Sequence, residues 1–132
     1  MIRFMNLPSE WIEKGDAFLR DAENHIKDGL YWLSCFEAQQ AAELYLKGYL
    51  LTKVGAYPFI SDLVRLLGVI KSLSIDVPTE LYVYADALSG EYVLSRYPDM
   101  KSRVYNKGTA IRCVEYARRI VGFIRSISKD TV

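Results

Sequence analysis

Apolar residues recur at helical spacing along nearly the whole chain, and no segment shows the strict alternation that is typical of a strand. The first stripe predicts a helix over residues 9–28, with Ser9 as its N-cap and Gly29 as its break. The stripe consists of Trp11, Phe18, Ala22 and Ile26.

The second predicted helix, residues 30–54, is apolar on most of its circumference and ends at Gly55. Its polar residues form only a narrow strip, made of Gln39, Gln40, Glu43 and Lys47. Leu33, Leu44 and Leu51 lie on one side, away from its small and aromatic residues. A helix with this pattern must be covered on most faces, so we expect the bundle on one side and a second subunit on the other.

Three further helices are predicted. A short one opens with Ser61 as cap, a fourth begins near Pro78 and extends to about residue 95, and the last runs from Asn106 or Lys107 to about Ser128. Pro98 ends the fourth helix and makes residues 96–104 a loop. The apolar stripe of the last helix is Ile111, Val114, Ala117, Val121, Ile124 and Ile127. The fold class that follows is all-α: an up-and-down antiparallel helix bundle in a single domain, residues 1–132, with the bundle at about 9–128.

Composition supports a globular protein. Of the 132 residues, 51% are hydrophobic and 25% charged, which excludes wholesale disorder. No apolar run approaches the roughly 20 residues of a membrane span, and we expect no signal peptide and no membrane association. Cys35 and Cys113 stand alone, so they are expected to be reduced core residues of a cytoplasmic protein.

The net charge of +1 hides an asymmetry, because residues 101–132 carry eight of the 17 basic residues and only two of the 16 acidic ones. This basic segment either attracts an anionic ligand or neutralises acidic neighbours within the bundle. The arginines of the last helix also have two interpretations: they contact nucleic acid, or they lie on a solvated face. Glu115 is expected to pair with Arg119.

Three local patterns occur in a fixed order. Residues 35–48 are CFEAQQAAELYLKG, residues 61–67 are SDLVRLL, and residues 92–99 are YVLSRYPD. Together they resemble the signatures of the HEPN family (higher eukaryotes and prokaryotes nucleotide-binding domain) over about residues 9–127. The resemblance implies a helical bundle that forms a homodimer and associates with a nucleotide, with RNA or with a small nucleotidyltransferase partner, as in two-component systems of the toxin–antitoxin type.

Many members of that family cleave RNA with an Arg that is followed four to six residues later by a His. Here no His follows Arg96 or Arg103, and the single histidine is His25. Imidazole is the usual proton acceptor near neutral pH, whereas Arg stays protonated. We therefore expect a non-catalytic binding module without a cofactor or metal. The alternatives are an unconventional ribonuclease that uses Arg96, Asp99 and Tyr105, and a pure protein-interaction module.

The candidate ligand site combines the proline-containing loop with the polar strip of the second helix. Its residues are Arg96, Tyr97, Asp99, Gln40, Lys47 and Tyr105. Arg96 would bind an anion through its forked donors. The structural alternatives are an Arg96–Asp99 pair that fastens the loop, an internal hydrogen-bond network for the polar strip, and a surface or capping position for His25.

Overall fold

The computed structural model describes residues 7–99 and 104–128, which form six helices and no strand. The helices are α1 (Ser9–Lys27), α2 (Tyr31–Val54), α3 (Leu63–Ser72), α4 (Thr79–Ser89), α5 (Glu91–Leu94) and α6 (Lys107–Ser128). The all-α fold class is confirmed. Residues 100–103 of the predicted loop lie outside the described residues.

Two of the predicted helix ends are correct and two caps are wrong. Gly29 and Gly55 follow α1 and α2 with φ of 76° and 81°, a conformation that favours glycine. Ser9 is the first helical residue rather than the cap, because the carbonyl of Pro8 already accepts from the amides of Trp11 and Ile12. Similarly Asp62, not Ser61, caps α3: its Oδ1 accepts from the amides of Val64 at 3.0 Å and Arg65 at 3.3 Å.

The fourth predicted helix is divided at Gly90 into α4 and the single-turn α5. Gly90 keeps helical angles, with φ −65° and ψ −17°, so the chain bends here without reversing. The short helix α5 and the turn after it carry Arg96 toward α2.

Helix α2 is the centre of the bundle and contacts all five other helices. Side-chain contacts give the directions: Asp16 of α1 meets Tyr45 of α2, and His25 meets Glu37, so α1 and α2 are antiparallel. Arg125 of α6 also meets Tyr45, while Cys113 meets Cys35, so α2 and α6 run parallel. This arrangement is an up-and-down bundle in which α2 and α6 point the same way.

The core lies between α2, α6 and the shorter helices. On α2 it contains three fully buried alanines, Ala38, Ala41 and Ala42, followed by larger side chains such as Tyr45 and Leu46. The alanines leave room for close approach of the neighbouring helices, and the larger side chains fill the interior farther along.

Two predicted stripes are partly wrong. Ile111 on α6 is 49% exposed, whereas the other predicted stripe residues of α6 are buried or pack against the core. On α1, Ala22 and Ile26 face the core as predicted, whereas Trp11 and Phe18 are only half-buried and the packed face extends to Ile12 and Leu19. Helical spacing alone did not fix the centre of the core-facing side of α1, because apolar residues extend beyond the predicted stripe.

The two cysteines are buried as predicted, but the expectation that they are reduced is wrong. Cys35 and Cys113 are 78 positions apart in the chain, and the fold brings their Cα atoms to 5.2 Å, where they form a disulfide. Because the parallel packing of α2 and α6 creates this proximity, the spacing along the chain could not indicate it.

A polar triad links three helices near the C-terminal end of α6. The Tyr45 hydroxyl donates to Asp16 Oδ1 at 2.5 Å, and Arg125 donates to both Asp16 at 2.9 Å and the Tyr45 oxygen at 2.6 Å. Burial and the neighbouring carboxylate raise the pKa of Tyr45 to about 12, with Arg125 opposing them. The phenol therefore stays protonated and holds α1, α2 and α6 in register.

We predict that Gly15→Ala lowers the free energy of unfolding by about 1–3 kcal/mol. A Cβ on Gly15 would lie 2.8 Å from both Cδ2 and Cε2 of Tyr45, whose hydroxyl is held in the triad and whose ring therefore has little freedom to move. Urea denaturation of the variant and the wild type measures the change.

Gly122→Ala in α6 is the matched control, since its Cβ would meet no atom within 4 Å. It should stabilise the protein by roughly 0.5–1 kcal/mol, because alanine has less backbone freedom to lose. Equal effects of the two substitutions would contradict the close packing of Gly15 on Tyr45.

Candidate functional site

The guanidinium of Arg96 is surrounded by three aromatic rings. Its Cζ lies 4.5 Å from the ring centroid of Tyr92, 4.9 Å from that of Phe36 and 5.3 Å from that of Tyr97. Each distance is within the range of a cation–π contact. Phe36 comes from α2 and Tyr92 from α5, so this aromatic clamp also attaches the α5 segment to the central helix.

One hydrogen bond orients the guanidinium further. Nε of Arg96 donates to the carbonyl oxygen of Tyr92 at 2.6 Å, one helical turn earlier. No described residue accepts a hydrogen bond from the terminal amino groups of Arg96. The clamp therefore presents a forked pair of donors in a fixed plane, which is the geometry that matches a phosphate or a carboxylate.

Of the remaining predicted loop residues, Tyr97 joins the clamp and is 49% exposed. Asp99 is exposed, and among the described residues it forms no ion pair with Arg96. The alternative in which an Arg96–Asp99 pair fastens the loop is therefore wrong: the loop is held by the aromatic rings instead.

Tyr105 is bonded to a buried carboxylate. Its hydroxyl donates to Oε2 of Glu91, a residue that is 1% exposed. Glu91 lies in α5, and its carbonyl accepts from the Ser95 hydroxyl. Tyr105 thus connects the segment before α6 to the base of the α5 turn that carries Arg96.

The polar strip of α2 forms a continuous hydrogen-bonded chain. Gln40 Nε2 donates to Gln39 Oε1 at 2.7 Å, Gln39 Nε2 donates to Glu43 Oε1 at 3.0 Å, and Lys47 Nζ donates to Glu43 Oε2 at 3.0 Å. Gln39 also donates to the carbonyl of Ser61 at 3.2 Å, which ties the approach to α3 onto α2. This is the internal network expected as one interpretation of the strip.

The structure separates the two residues that α2 was predicted to contribute to the ligand site. Gln40 lies one helical turn after Phe36 on the same side of α2, next to the aromatic clamp. Lys47 lies roughly 16 Å farther along the helix axis than Phe36. Its ammonium is 5.4 Å from the ring centroid of Tyr57, in the α2–α3 connection. Gln40 therefore lies closer than Lys47 to the ring of α2 that contacts Arg96.

An open groove of about 520 Å³ adjoins the clamp. Tyr92 belongs to both, and the far side of the groove is formed by Ser61, Asp62 and Ser89 at the start of α3 and the end of α4. The groove lining includes the carboxylates of Asp62 and Asp86, so it suits a neutral, hydroxyl-bearing part of a ligand better than a second anionic group.

The comparisons with known proteins agree with this architecture. The family model described as HEPN domain matches residues 8–127. The chain belongs to the HEPN domain family. Among curated proteins, none matches it.

Three solved structures resemble this HEPN domain over nearly its whole length. TT1696 from Thermus thermophilus is 31% identical, with a TM-score of 0.82, and the match covers 89% of this chain and 95% of that one. ST0689, an archaeal HEPN homologue, is 28% identical with a TM-score of 0.76, covering 95% and 100%. An HEPN domain protein from Thermotoga maritima, tm0613, is 26% identical with a TM-score of 0.72, covering 89% and 96%.

Within residues 7–99 and 104–128 of this HEPN domain, no cluster of His, Cys, Asp and Glu side chains is suited to a metal ion. No helix in the same part of the chain has both the length and the apolar composition that crossing a membrane requires.

His25 lies in the last turn of α1 and is partly exposed, close to the surface position that the sequence predicted, but its side chain is bonded to α2. Its Nδ1 lies 2.6 Å from Oε1 of Glu37, a buried residue of α2. Phe36 and Glu37 point about 100° apart around the helix, so His25 and Arg96 contact different flanks of α2. The hydrogen bond to Glu37 raises the pKa of His25 above its ordinary 6.5. Burial opposes this increase, and the charges of Glu37, Asp21 and Asp28 add to it.

Sequence reasoning missed two of the rings in the clamp. Tyr92 and Arg96 are four residues apart, and this i,i+4 spacing is a signal that would have put them on one face of a helical turn. Phe36 carries no such signal, because only the packing of α5 on α2 brings it to Arg96.

We predict that the stability contributed by His25 falls as the pH rises above about 6.5. The folded state binds this proton more tightly than the unfolded state, so the contribution is present below the unfolded pKa and is lost as the pH rises through the folded pKa. Burial also raises the pKa of Glu37, so the stability that Glu37 contributes likewise falls as the pH rises, over a lower pH range. Because the chain has one histidine, its NMR titration reports His25 directly.

Glu37→Gln is the informative variant, since it keeps the shape and removes the charge beside the imidazole. The His25 midpoint should move down toward 6.5 in this variant. A wild-type midpoint at or below 6.5, unchanged by Glu37→Gln, would contradict the pairing seen in the structure.

Proposed function

We propose that this HEPN domain is a non-catalytic binding module that acts as a homodimer and binds a nucleotide phosphate, or a carboxylate of a small nucleotidyltransferase partner, through Arg96. The setting we propose is a cytoplasmic two-component system of the toxin–antitoxin type. The observation that carries the proposal is the aromatic clamp, which fixes the Arg96 guanidinium while its terminal amino groups make no bond to a described residue.

A nucleotide fits the surroundings of the clamp. Its phosphate would accept the two terminal donors of Arg96, and its sugar would lie in the adjoining groove near Ser61 and Ser89. The exposed ring of Tyr97 offers a face on which a base can stack. Because the clamp holds Arg96 before the ligand arrives, little side-chain entropy is lost on binding.

Ribonuclease activity has less support. The Tyr105 hydroxyl is engaged by Glu91, and His25 contacts another flank of α2 than Arg96 does. Neither arrangement supplies a proton acceptor next to the Arg96 guanidinium. Cleavage of RNA by the purified protein, abolished in Arg96→Ala, would overturn the non-catalytic proposal.

We predict that Arg96→Lys weakens binding of nucleoside mono-, di- or triphosphates by about 10-fold or more, because lysine keeps the charge and loses the fork. Arg96→Ala should remove measurable binding. Isothermal titration calorimetry on the wild type and both variants tests this.

Arg20→Ala is the control, since Arg20 is an exposed arginine of α1. It should leave the affinity unchanged. Thermal unfolding must be measured in parallel, because Arg96→Ala also removes three cation–π contacts. Unchanged binding in a destabilised Arg96→Ala protein would assign Arg96 to the scaffold and refute the proposed site.

The dimer is proposed from the outer face of α1 and α2. Leu33, Leu44 and Leu51 are half-buried and spaced about three and two turns apart on one side of α2. Leu44 and Trp11 line a shallow groove of about 280 Å³ between α1 and α2. Phe18, also half-buried, lies about two turns after Trp11 on the same side of α1. An apolar face of this extent favours burial against a second copy.

We predict a particle of twice 15.1 kDa that buries at least the roughly 1,200–2,000 Å² of a standard interface. Leu44→Glu should convert it to a monomer by placing a charge in the apolar face. Val83→Glu is the control, since Val83 is 63% exposed on α4. Light scattering at micromolar concentration distinguishes the cases, and a wild-type monomer would exclude the dimer.

A further inference from the structure

The Cys35–Cys113 disulfide adjoins the aromatic clamp along α2. Cys35 precedes Phe36, whose ring contacts Arg96, and its Sγ lies 3.7 Å from the carbonyl oxygen of Thr109. Thr109 in turn bonds Asn106 and the carbonyl of Val104 in the segment that enters α6. The disulfide therefore joins the part of α2 that carries Phe36 to the second turn of α6, and Cys35 also contacts the first turn through Thr109.

The chain between the two cysteines contains α3, α4, α5 and Arg96. Closing this loop restricts the unfolded chain strongly, since the two ends are 78 positions apart. The α5 segment is attached on both sides of this bond: to Phe36, next to Cys35 on α2, and to Tyr105, just before α6, which bonds Glu91.

We propose that Cys35 and Cys113 are a reversible redox pair that controls the order of the Arg96 clamp. In the oxidised state α2 and the start of α6 are bonded together, and the clamp is held between them. In the reduced state this bond is replaced by packing alone, and the α5 segment opens more often. The consequence for ligand affinity rests on the function proposed above, whereas the consequence for local order does not.

The chemistry balances with a low-molecular-weight disulfide as oxidant. The two thiols lose two protons and two electrons in forming the Sγ–Sγ bond, and the oxidant is released as two thiols; a dithiol reverses the step. After reduction the Cys35 thiol can donate to the nearby Thr109 carbonyl. Both cysteines are at most 4% exposed, so exchange requires a local opening and should be slow.

The first experiment counts thiols. Wild-type protein equilibrated with oxidised glutathione and then alkylated in denaturant should take up no label, and protein equilibrated with dithiothreitol should take up two. The oxidised protein should melt of the order of 10 °C higher than the reduced one. In Cys35→Ala/Cys113→Ala, the melting temperature should not depend on the redox conditions. Two labelled thiols after oxidation would overturn the proposal.

The second experiment locates the effect by amide hydrogen exchange. Reduction should speed exchange at least several-fold in residues 91–97 and 104–110, with α1 as the internal control that changes less. Equal acceleration throughout the bundle, or none, would show that the pair stabilises the fold without controlling the clamp.

Calorimetry with the nucleoside phosphates completes the comparison. Weaker binding in the reduced state is the expected result. If neither state binds while exchange at the clamp still responds to reduction, the function proposed for Arg96 fails and the redox control of the clamp stands.

Discussion

Burial of α2 on most of its circumference is the constraint on which the other helices depend. A helix in that position must find partners for its polar side chains inside the protein, since an unsatisfied buried group costs about 1–3 kcal/mol. Ser34 donates to the Ala22 carbonyl at 2.7 Å, Glu37 pairs with His25, and Gln39 reaches the Ser61 carbonyl. Each of these bonds joins α2 to a different residue of a neighbouring segment, so together they set the register of the bundle around its central helix.

The same helix supports the candidate site. Phe36 provides one ring of the clamp, and the remaining two come from the α5 segment that packs on it. An arginine on a loop usually has many conformations available, but Arg96 is confined by the three rings and by its bond to the Tyr92 carbonyl. The site thus combines terminal donors that bond no described residue with a guanidinium whose orientation is already fixed, which is what recognition of a planar or tetrahedral anion requires.

Much of the candidate site could be predicted, because its signals are local. Arg96 and Tyr97 are adjacent, and Pro98 stops the preceding helix. The association of Arg96 with Asp99 was equally plausible from the sequence and does not occur, because the rings hold the guanidinium elsewhere. Lys47 shares a polar strip with Gln40, yet the two residues are about 10 Å apart along the helix axis. The Lys47 ammonium donates to Glu43 instead.

By itself, the sequence determined that the chain is helical, where most helices begin and end, and that the helix now called α2 is covered on nearly every side. Those properties follow from the spacing of apolar residues and from glycines and prolines, which act within a few residues. Only the tertiary structure decided that Gly15 of α1 packs on Tyr45, that Phe36 meets Arg96, and that the two cysteines form a bond. Each of these contacts joins residues far apart in the chain, and their proximity depends on which faces of the helices pack together.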